Sequence, residues 1–284
     1  MIVVIGATGQ IGSEVVRQLA EKGEKVRPLI RDPKKAAQLG HENVMFVLGD
    51  LSDPKSLDAA FKGSQKLFLV TNPAPNQVEL QRNAIEAAKR AGIQHVVKVS
   101  AVGASKDAPV NMGRWHAQTE EELKQSGLKW TILQPHFFMQ NLVGMAGSIK
   151  SQGAIYAPVK DGKVAMVDIR DIAKVAVEVL TTPGHEGQTY VITGGEAISF
   201  HDAARQIGIH IPKTVKYVDI PPEDARKSML GMGMPEWLVS DMVTLYGAFA
   251  AGYGAATTDV IQKVGKEAPR TFAQFAKDNA ELFK

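Results

Sequence analysis

The chain has 284 residues, 44% of them hydrophobic and 22% charged, which fits one large globular domain or two small ones and excludes a disordered polypeptide. Its net charge of +3 is scattered, with basic runs no longer than pairs such as Lys34-Lys35, so it offers no platform for nucleic acid. The absence of cysteine excludes disulfides, thiolate nucleophiles and cysteine-bound zinc, and suits a cytoplasmic chain.

The stretch Met1–Gly12, MIVVIGATGQIG, reads as a buried strand over Ile2 to Ile5, a glycine-rich turn and the start of a helix. Gly6 lets the chain turn off the strand, Gly9 clears the approach of a pyrophosphate to backbone N–H groups, and Gly12 lets the helix pack closely. Val15, Val16, Leu19 and Ala20 share one helix face, and the positive end of that helix faces the phosphates. The candidate contacts of this turn are Gly6, Thr8, Gly9, Gln10, Ile11 and Gly12. No basic n-region or cleavage signal precedes the strand, so no secretory leader is expected.

A second strand follows over Lys25–Ile30, ended by Arg31-Asp32-Pro33, with a short helix containing Lys34, Lys35 and Ala36 behind it. Val44–Leu48 reads as a third strand, after which Ser52 or Asp53 caps a helix with Pro54 in its first turn. Leu67–Val70 is a fourth strand and ends at Thr71-Asn72-Pro73. A long helix runs from about Asn76 to Ala91 and stops at Gly92. Strands at His95–Ser100 and Trp130–Gln134 complete the alternation.

From Pro135 the pattern changes. Phe137, Phe138, Met139, Leu142 and Met145 crowd one segment, and Gly153–Tyr156 reads as a strand or hairpin arm. Val164–Ala173 carries a strand into a helix, with Asp168 or Asp171 near its start. Thr189–Thr193 and Val215–Val218 are further strands, separated by small helices, and Met229–Pro235 reads as a loop. Met242–Ala256 is too short and too rich in glycine to cross a bilayer and reads as a buried or pocket-facing helix; no membrane association is expected.

Alternating apolar runs and amphipathic helices predict an α/β fold: a Rossmann-like, doubly wound parallel sheet with a smaller C-terminal α+β lobe. Residues 1–135 form the nucleotide-binding core, to which 164–194 return, while 136–163 and 195–284 form the lobe over the strand ends. Ligands of such sheets lie beyond the carboxyl ends of the strands, which adds Arg31, Lys35, Asp50, Leu51, Thr71, Asn72, Pro73, Ser100 and Gln134 to the candidate cofactor contacts. An NAD site places an acid about 20 residues past the glycines, but Arg31 stands there, followed by Asp32. A guanidinium matches a 2′-phosphate in charge and shape, with Lys35 to assist, so NADP(H) is preferred and NAD(H) is the alternative. The competing reading leaves Arg31 and Lys35 simply solvated. Asp50 either accepts from the adenine amine or is a loop residue capping the next helix.

GATGQIG, Arg31-Asp32-Pro33, Gly49-Asp50-Leu51, Gln134-Pro135 and Asp168-Ile169-Arg170-Asp171-Ile172-Ala173 together resemble the NmrA-like branch of the atypical short-chain dehydrogenase/reductases over almost the whole chain. Gly113-Arg114-Trp115, Phe137–Leu142, Gly231–Pro235 and Arg270–Ala273 are most similar to members that reduce azo compounds, and more distantly to those that reduce triarylmethyl dyes and quinones. The resemblance implies hydride transfer between a nicotinamide cofactor and a small aromatic or quinoid molecule.

Ordinary members of the wider family use a Tyr-x-x-x-Lys pair as proton donor, and this chain has no tyrosine before Tyr156. The literal match Tyr156-Ala157-Pro158-Val159-Lys160 needs a helix that Pro158 opposes. A flat conjugated acceptor spreads the incoming charge, so hydride transfer tolerates the loss of that acid, which is worth roughly 10²–10⁴-fold with an isolated ketone. Trp115, His136, Phe137, Phe138 and Tyr246 are the candidate acceptor-pocket residues, with Met139 and Met232 or Met234 beside them; the competing reading makes them core. His116 and His136 are the candidate proton donors, although a lone histidine is more often a structural partner. The seven histidines show no ligand spacing, so no metal site is expected, and no Gly-x-Ser-x-Gly elbow or Walker motif is present. The competing function is a non-catalytic NADP(H)-binding sensor with a protein partner, a role also found in this branch. A sugar-nucleotide epimerase suffers most from the missing tyrosine. The oligomeric state is left open.

Overall fold

In the structure, a computed structural model, the backbone of residues 1–284 and every side chain except those of residues 36–38 are described. The first half alternates strands and helices: β1 (Ile2–Val4), α1 (Gln10–Glu21), β2 (Val26–Ile30), β3 (Val47–Leu48), α2 (Pro54–Phe61), β4 (Lys66–Leu69), α3 (Gln77–Ala91), β5 (His95–Val99), α4 (Asn111–Gln125) and β6 (Lys129–Pro135). The second half is more mixed: α5 (Ala146–Gln152), β7 (Ala154–Ala157), β8 (Lys163–Val164), α6 (Ile169–Thr181), β9 (Gln188–Ile192), β10 (Ile198–Ser199), α7 (Phe200–Ile209), β11 (Lys216–Asp219), α8 (Pro222–Gly231), α9 (Glu236–Ala250), α10 (Val260–Lys263) and α11 (Phe272–Asp278).

Seven strands form one sheet in the order β3-β2-β1-β4-β5-β6-β9, and all of its pairs are parallel. Ile2 of β1 faces Val26 on one side and Lys66 on the other, so the chain winds outward from β1, returns across it and winds the other way. In sheets of this kind the ligand crevice lies at such a reversal, here above the carboxyl ends of β1 and β4.

Both sheet faces are covered, which is why the strands read as continuous apolar runs. On one face α1 and α6 bury Val15, Leu19, Val175 and Val179 against Val4, Phe68 and Val97. On the other, α2, α3 and α4 bury Leu57, Phe61, Ile85 and Leu123 against Val3, Leu67 and Val96. Asp53 caps α2 and Asp168 caps α6, each accepting from the N–H two residues on.

The expected third strand over 44–48 shrinks to Val47–Leu48, with Val44 making a single bridge to Val26. It is the sheet's outermost strand, so Met45, Phe46 and Leu48 have no neighbour to bury them and stand exposed. The expected loop over 229–235 also differs: α8 runs on to Gly231 because Met229 packs on Val239 of α9.

The remaining strands form two small pairs, β7 with β11 in parallel and β8 with β10 antiparallel, so 153–156 is not a hairpin arm. Phe137, Phe200, Phe249, Phe272, Phe275 and Phe283 fill the core of this second lobe. Several links among the described residues hold it to the first half. Arg170 pairs with Asp168 and Asp278 (2.7 Å each), Arg270 pairs with buried Asp171, and Trp115 of α4 lies against Trp237 of α9 (ring centroids 5.0 Å apart). Among the described residues no helix is long and apolar enough to cross a membrane.

Candidate active site

The turn after β1 is shaped by backbone crowding. Gly6 adopts φ +70°, and a Cβ on it would lie 2.5 Å from the Val70 carbonyl oxygen. A Cβ on Gly12 would lie 2.1 Å from the Gly6 carbonyl oxygen, so the first turn of α1 can approach the strand end only as glycine. Gly9 is different: a Cβ there would meet only the Gly6 oxygen, at 3.3 Å, so its bare surface serves an approaching group more than internal packing. Gly9 heads α1 with no side-chain cap, and no acid stands in the first turn. The leading N–H groups of Gln10, Ile11 and Gly12 thus face no capping or acidic side chain of the first turn. The Ile11 side chain itself is buried in the core.

Beside this turn lies a cavity of about 360 Å³ lined by Thr8, Ile30, Arg31, Asp32, Lys35 and Asp50. Four of the sequence-predicted contacts, Thr8, Arg31, Lys35 and Asp50, therefore meet in one place. The Asp32 carboxylate accepts from the Lys34 N–H (3.0 Å) and is spent on starting the short helical turn Pro33–Leu39. Asp50 accepts from the Ser52 N–H (2.8 Å) and hydroxyl (2.7 Å). Those bonds, helped by Arg31, hold its pKa below the usual carboxylate range. Asp50 faces the cavity and ties its own loop, and it is not the cap of the next helix, because Asp53 caps α2. A guanidinium and an ammonium with no ion-pair partner among the described residues face a space of this size, which suits a phosphorylated adenosine. Leu51 is elsewhere: its side chain is in the core and its carbonyl oxygen accepts from the Asn83 amide (2.8 Å).

At the ends of β4, β5 and β6 the expected residues part company. Asn72 and Pro73 are exposed in the β4–α3 loop, and Thr71 accepts from the Gln81 amide (2.8 Å). Ser100 is buried and Gln134 half-buried. The Ser100 hydroxyl and the Gln134 amide (2.9 Å) both donate to one oxygen of Glu120 on α4, because a buried carboxylate must find donors.

The aromatic candidates divide as well. Phe137 and Tyr246 are buried in the second lobe's core, edge to face (6.5 Å), and burial raises the Tyr246 phenol to about 12. Phe138 turns the opposite way, onto the sheet core, since neighbouring residues of an extended segment point to opposite sides. Met139 is buried with Phe137, Met232 is exposed, and Met234 packs with Met229 and Val239. Trp115, by contrast, is half-buried and stands with Trp237 where α4 and α9 meet. His136 stacks on Phe249 (5.8 Å, 26°), its Nδ1 has no partner, and burial lowers its pKa to about 4, so it is neutral at pH 7. Tyr156 and Lys160 form no dyad: the Tyr156 hydroxyl donates to Gln152, and Lys160 lies in a turn with φ +50°.

His116 lies among buried polar side chains. Its Nδ1 lies 3.2 Å from Nζ of Lys98 and 3.3 Å from the Gln77 amide nitrogen. Lys98, which sequence reasoning did not single out, is a fully buried lysine in β5. The available signal was a lysine inside His-Val-Val-Lys-Val, a strand of a sheet covered on both faces. Glu120, Gln77 and Gln81 are buried polar residues of the same region and were equally missed. Among the described residues no group of three or more His, Asp or Glu is placed to hold a metal ion.

Comparison with known proteins gives a consistent pattern. The model of the NmrA-like family matches residues 1–276. The chain is 44% identical to an NAD(P)H azoreductase of Xenophilus azovorans, covering 100% of this chain and 99% of that protein. Among solved structures it is similar to the NADPH complex of a quinone oxidoreductase from Escherichia coli, with TM-score 0.89, 26% identity and full coverage of both chains. It is likewise similar to a triphenylmethane reductase of Citrobacter sp. crystallised with NADP(H), with TM-score 0.87, 26% identity and coverage of 99% and 100%.

Proposed function

The chain belongs to the NmrA-like family, and from that premise we propose that it is an NAD(P)H-dependent reductase that delivers hydride to a flat conjugated acceptor, an azo compound or a quinone. The observation that carries the reading is the cavity holding Thr8, Arg31, Lys35 and Asp50 next to the side-chain-free turn. The turn and the α1 N–H groups hold the diphosphate; Arg31 and Lys35 hold a 2′-phosphate, which makes NADP(H) the preferred cofactor and NAD(H) the alternative. When bound, the cofactor supplies a hydride at its nicotinamide ring.

The chain's own part is positioning. Thr71, Asn72 and Pro73 border the strand-end crevice, and Trp115 with Trp237 offers a partly open aromatic surface where the second lobe meets α4. Buried His136, stacked on Phe249, is neutral and brings no charge to the second lobe. The 44% identity with an azoreductase favours small aromatic acceptors.

The test is NADPH oxidation, followed by absorbance, against a panel of azo dyes, quinones and cationic triarylmethyl dyes. Turnover with at least one class is expected. No turnover across the panel, together with no calorimetric binding of either coenzyme, overturns the reading.

A further inference from the structure

Lys98 is a long cation placed where a cation is costly. It has no exposure, and its Nζ reaches only the Val99 carbonyl oxygen (3.2 Å) and His116 Nδ1 (3.2 Å), neither of which carries a charge. The carboxylate nearest in influence is Glu120, one turn along α4 from His116, and it is engaged by Ser100 and Gln134, with Lys124 at 3.7 Å. From α3 the group that reaches His116 is the uncharged Gln77, while Gln81 donates to Thr71. Both neighbours of His116 Nδ1 are donors, so Nδ1 accepts and the ring proton sits on Nε2. Lys98 is sealed and the only titratable side-chain atom its Nζ reaches among the described residues is His116 Nδ1, so a proton leaving the ammonium passes through the imidazole. The location is right for chemistry: Lys98 is the next-to-last residue of β5, and Gln77 begins the helix that follows β4.

Resting on the reductase reading above, we infer that His116 and Lys98 form a proton-delivery pair that stands in for the missing tyrosine and lysine, with the proton donor on α4 and the lysine on β5. As the acceptor gains a hydride, its developing anionic nitrogen or oxygen takes the proton from His116 Nε2, and Nδ1 takes one from the Lys98 ammonium. The imidazole ends neutral, now protonated on Nδ1, and Lys98 ends as an amine. A proton from water at Nε2 then returns the Nδ1 proton to Lys98 and restores both groups. His116 is the catalytic residue and Lys98 the positioning residue that sets its tautomer. Burial lowers the Lys98 ammonium to about 7, where it gives up a proton readily, and burial with the Lys98 charge keeps His116 neutral.

The test pairs two acceptor classes with a spectrum. An azo dye needs hydride and proton, whereas a triarylmethyl cation is discharged by hydride alone. Lys98→Met and His116→Gln should lower kcat at pH 6 on the azo dye at least about tenfold more than on the triarylmethyl cation. Wild-type kcat on the azo dye should fall as pH rises through about 7, and Lys98→Met should erase that inflexion. Equal losses on both acceptors would reduce the pair to a structural role and overturn the inference. Independently of turnover, ¹⁵N spectra of the wild-type protein with NADPH should show His116 as the Nε2–H tautomer, with an Nδ1 shift that moves near pH 7 and does so no longer in Lys98→Met. The opposite tautomer, or no movement, overturns the inference. If the spectra agree while no acceptor is reduced, the pair stands and the reductase reading fails.

Discussion

The two ends of the cleft are built on opposite principles. At the β1–α1 end the backbone makes the site: glycines open it, helix N–H groups face it, and Arg31, Asp32, Lys35 and Asp50 add side-chain charge. At the β5–α4 end side chains make it, with Lys98, His116 and Gln77 in one hydrogen-bonded group and Glu120, Ser100 and Gln134 in a second. The first end has little tolerance for added atoms at Gly6 and Gly12. The second tolerates change in shape but depends on every donor finding an acceptor, since an unpaired buried group costs about 1–3 kcal/mol. A fold can therefore keep its coenzyme end and alter its chemistry at the other.

The sharpest way to break this contrast is Gly12→Ala. Its Cβ would strike the Gly6 carbonyl oxygen at 2.1 Å, so the turn must open. Calorimetry should show coenzyme binding weakened by more than about 100-fold and stability lowered by about 1–3 kcal/mol. Near-normal binding would refute the idea that the backbone makes this end.

Lys98→Met tests the other end through stability. The folded-state pKa of Lys98 is depressed to about 7, so the unfolded chain holds a proton that the folded chain releases between there and its ordinary value. Wild-type stability should rise with pH across that window, and below about 7 the full penalty applies. In urea titrations Lys98→Met should exceed the wild type by a few kcal/mol near pH 6, since each tenfold loss of proton affinity on folding costs about 1.4 kcal/mol. The gap should close towards about pH 10, where the unfolded chain also begins to release the proton. A gap that does not change with pH would show that Lys98 is not a strained cation.

Arg31→Ala sharpens the coenzyme end. NADPH should bind roughly 10–100-fold more weakly, from the loss of charge-assisted bonds of about 1.5–3 kcal/mol, while NADH affinity changes little. Equal losses for the two would place Arg31 away from the 2′-phosphate.

The smallest effect concerns the joint between α4 and the second lobe. Asp241 on α9 accepts from the Asn111 and Met112 N–H groups (2.9 Å each) and so caps α4 from another element. Asp241→Asn keeps one acceptor and should cost about 1 kcal/mol in thermal unfolding, and Asp241→Ala somewhat more. No change for Asp241→Ala would separate the lobe from α4.

What the sequence by itself determined is local and periodic. A strand running into glycines and an amphipathic helix is one contiguous device, so the β1–α1 turn and the parallel sheet were readable without coordinates, as were Thr8, Arg31, Lys35 and Asp50 as neighbours. Tertiary structure alone decided what needed sheet order and register. Lys98 is sealed because α3 and α4 cover that face of β5, and Ser100 and Gln134 turn to Glu120 because β5 and β6 lie side by side under α4. Phe137 and Phe138 part because the chain crosses between two cores, and Met45 and Phe46 stand exposed because β3 ends the sheet. The physical reason is the same throughout: backbone shape follows from neighbours in sequence, whereas the partner of a buried polar or aromatic side chain is chosen by packing between elements far apart in the chain.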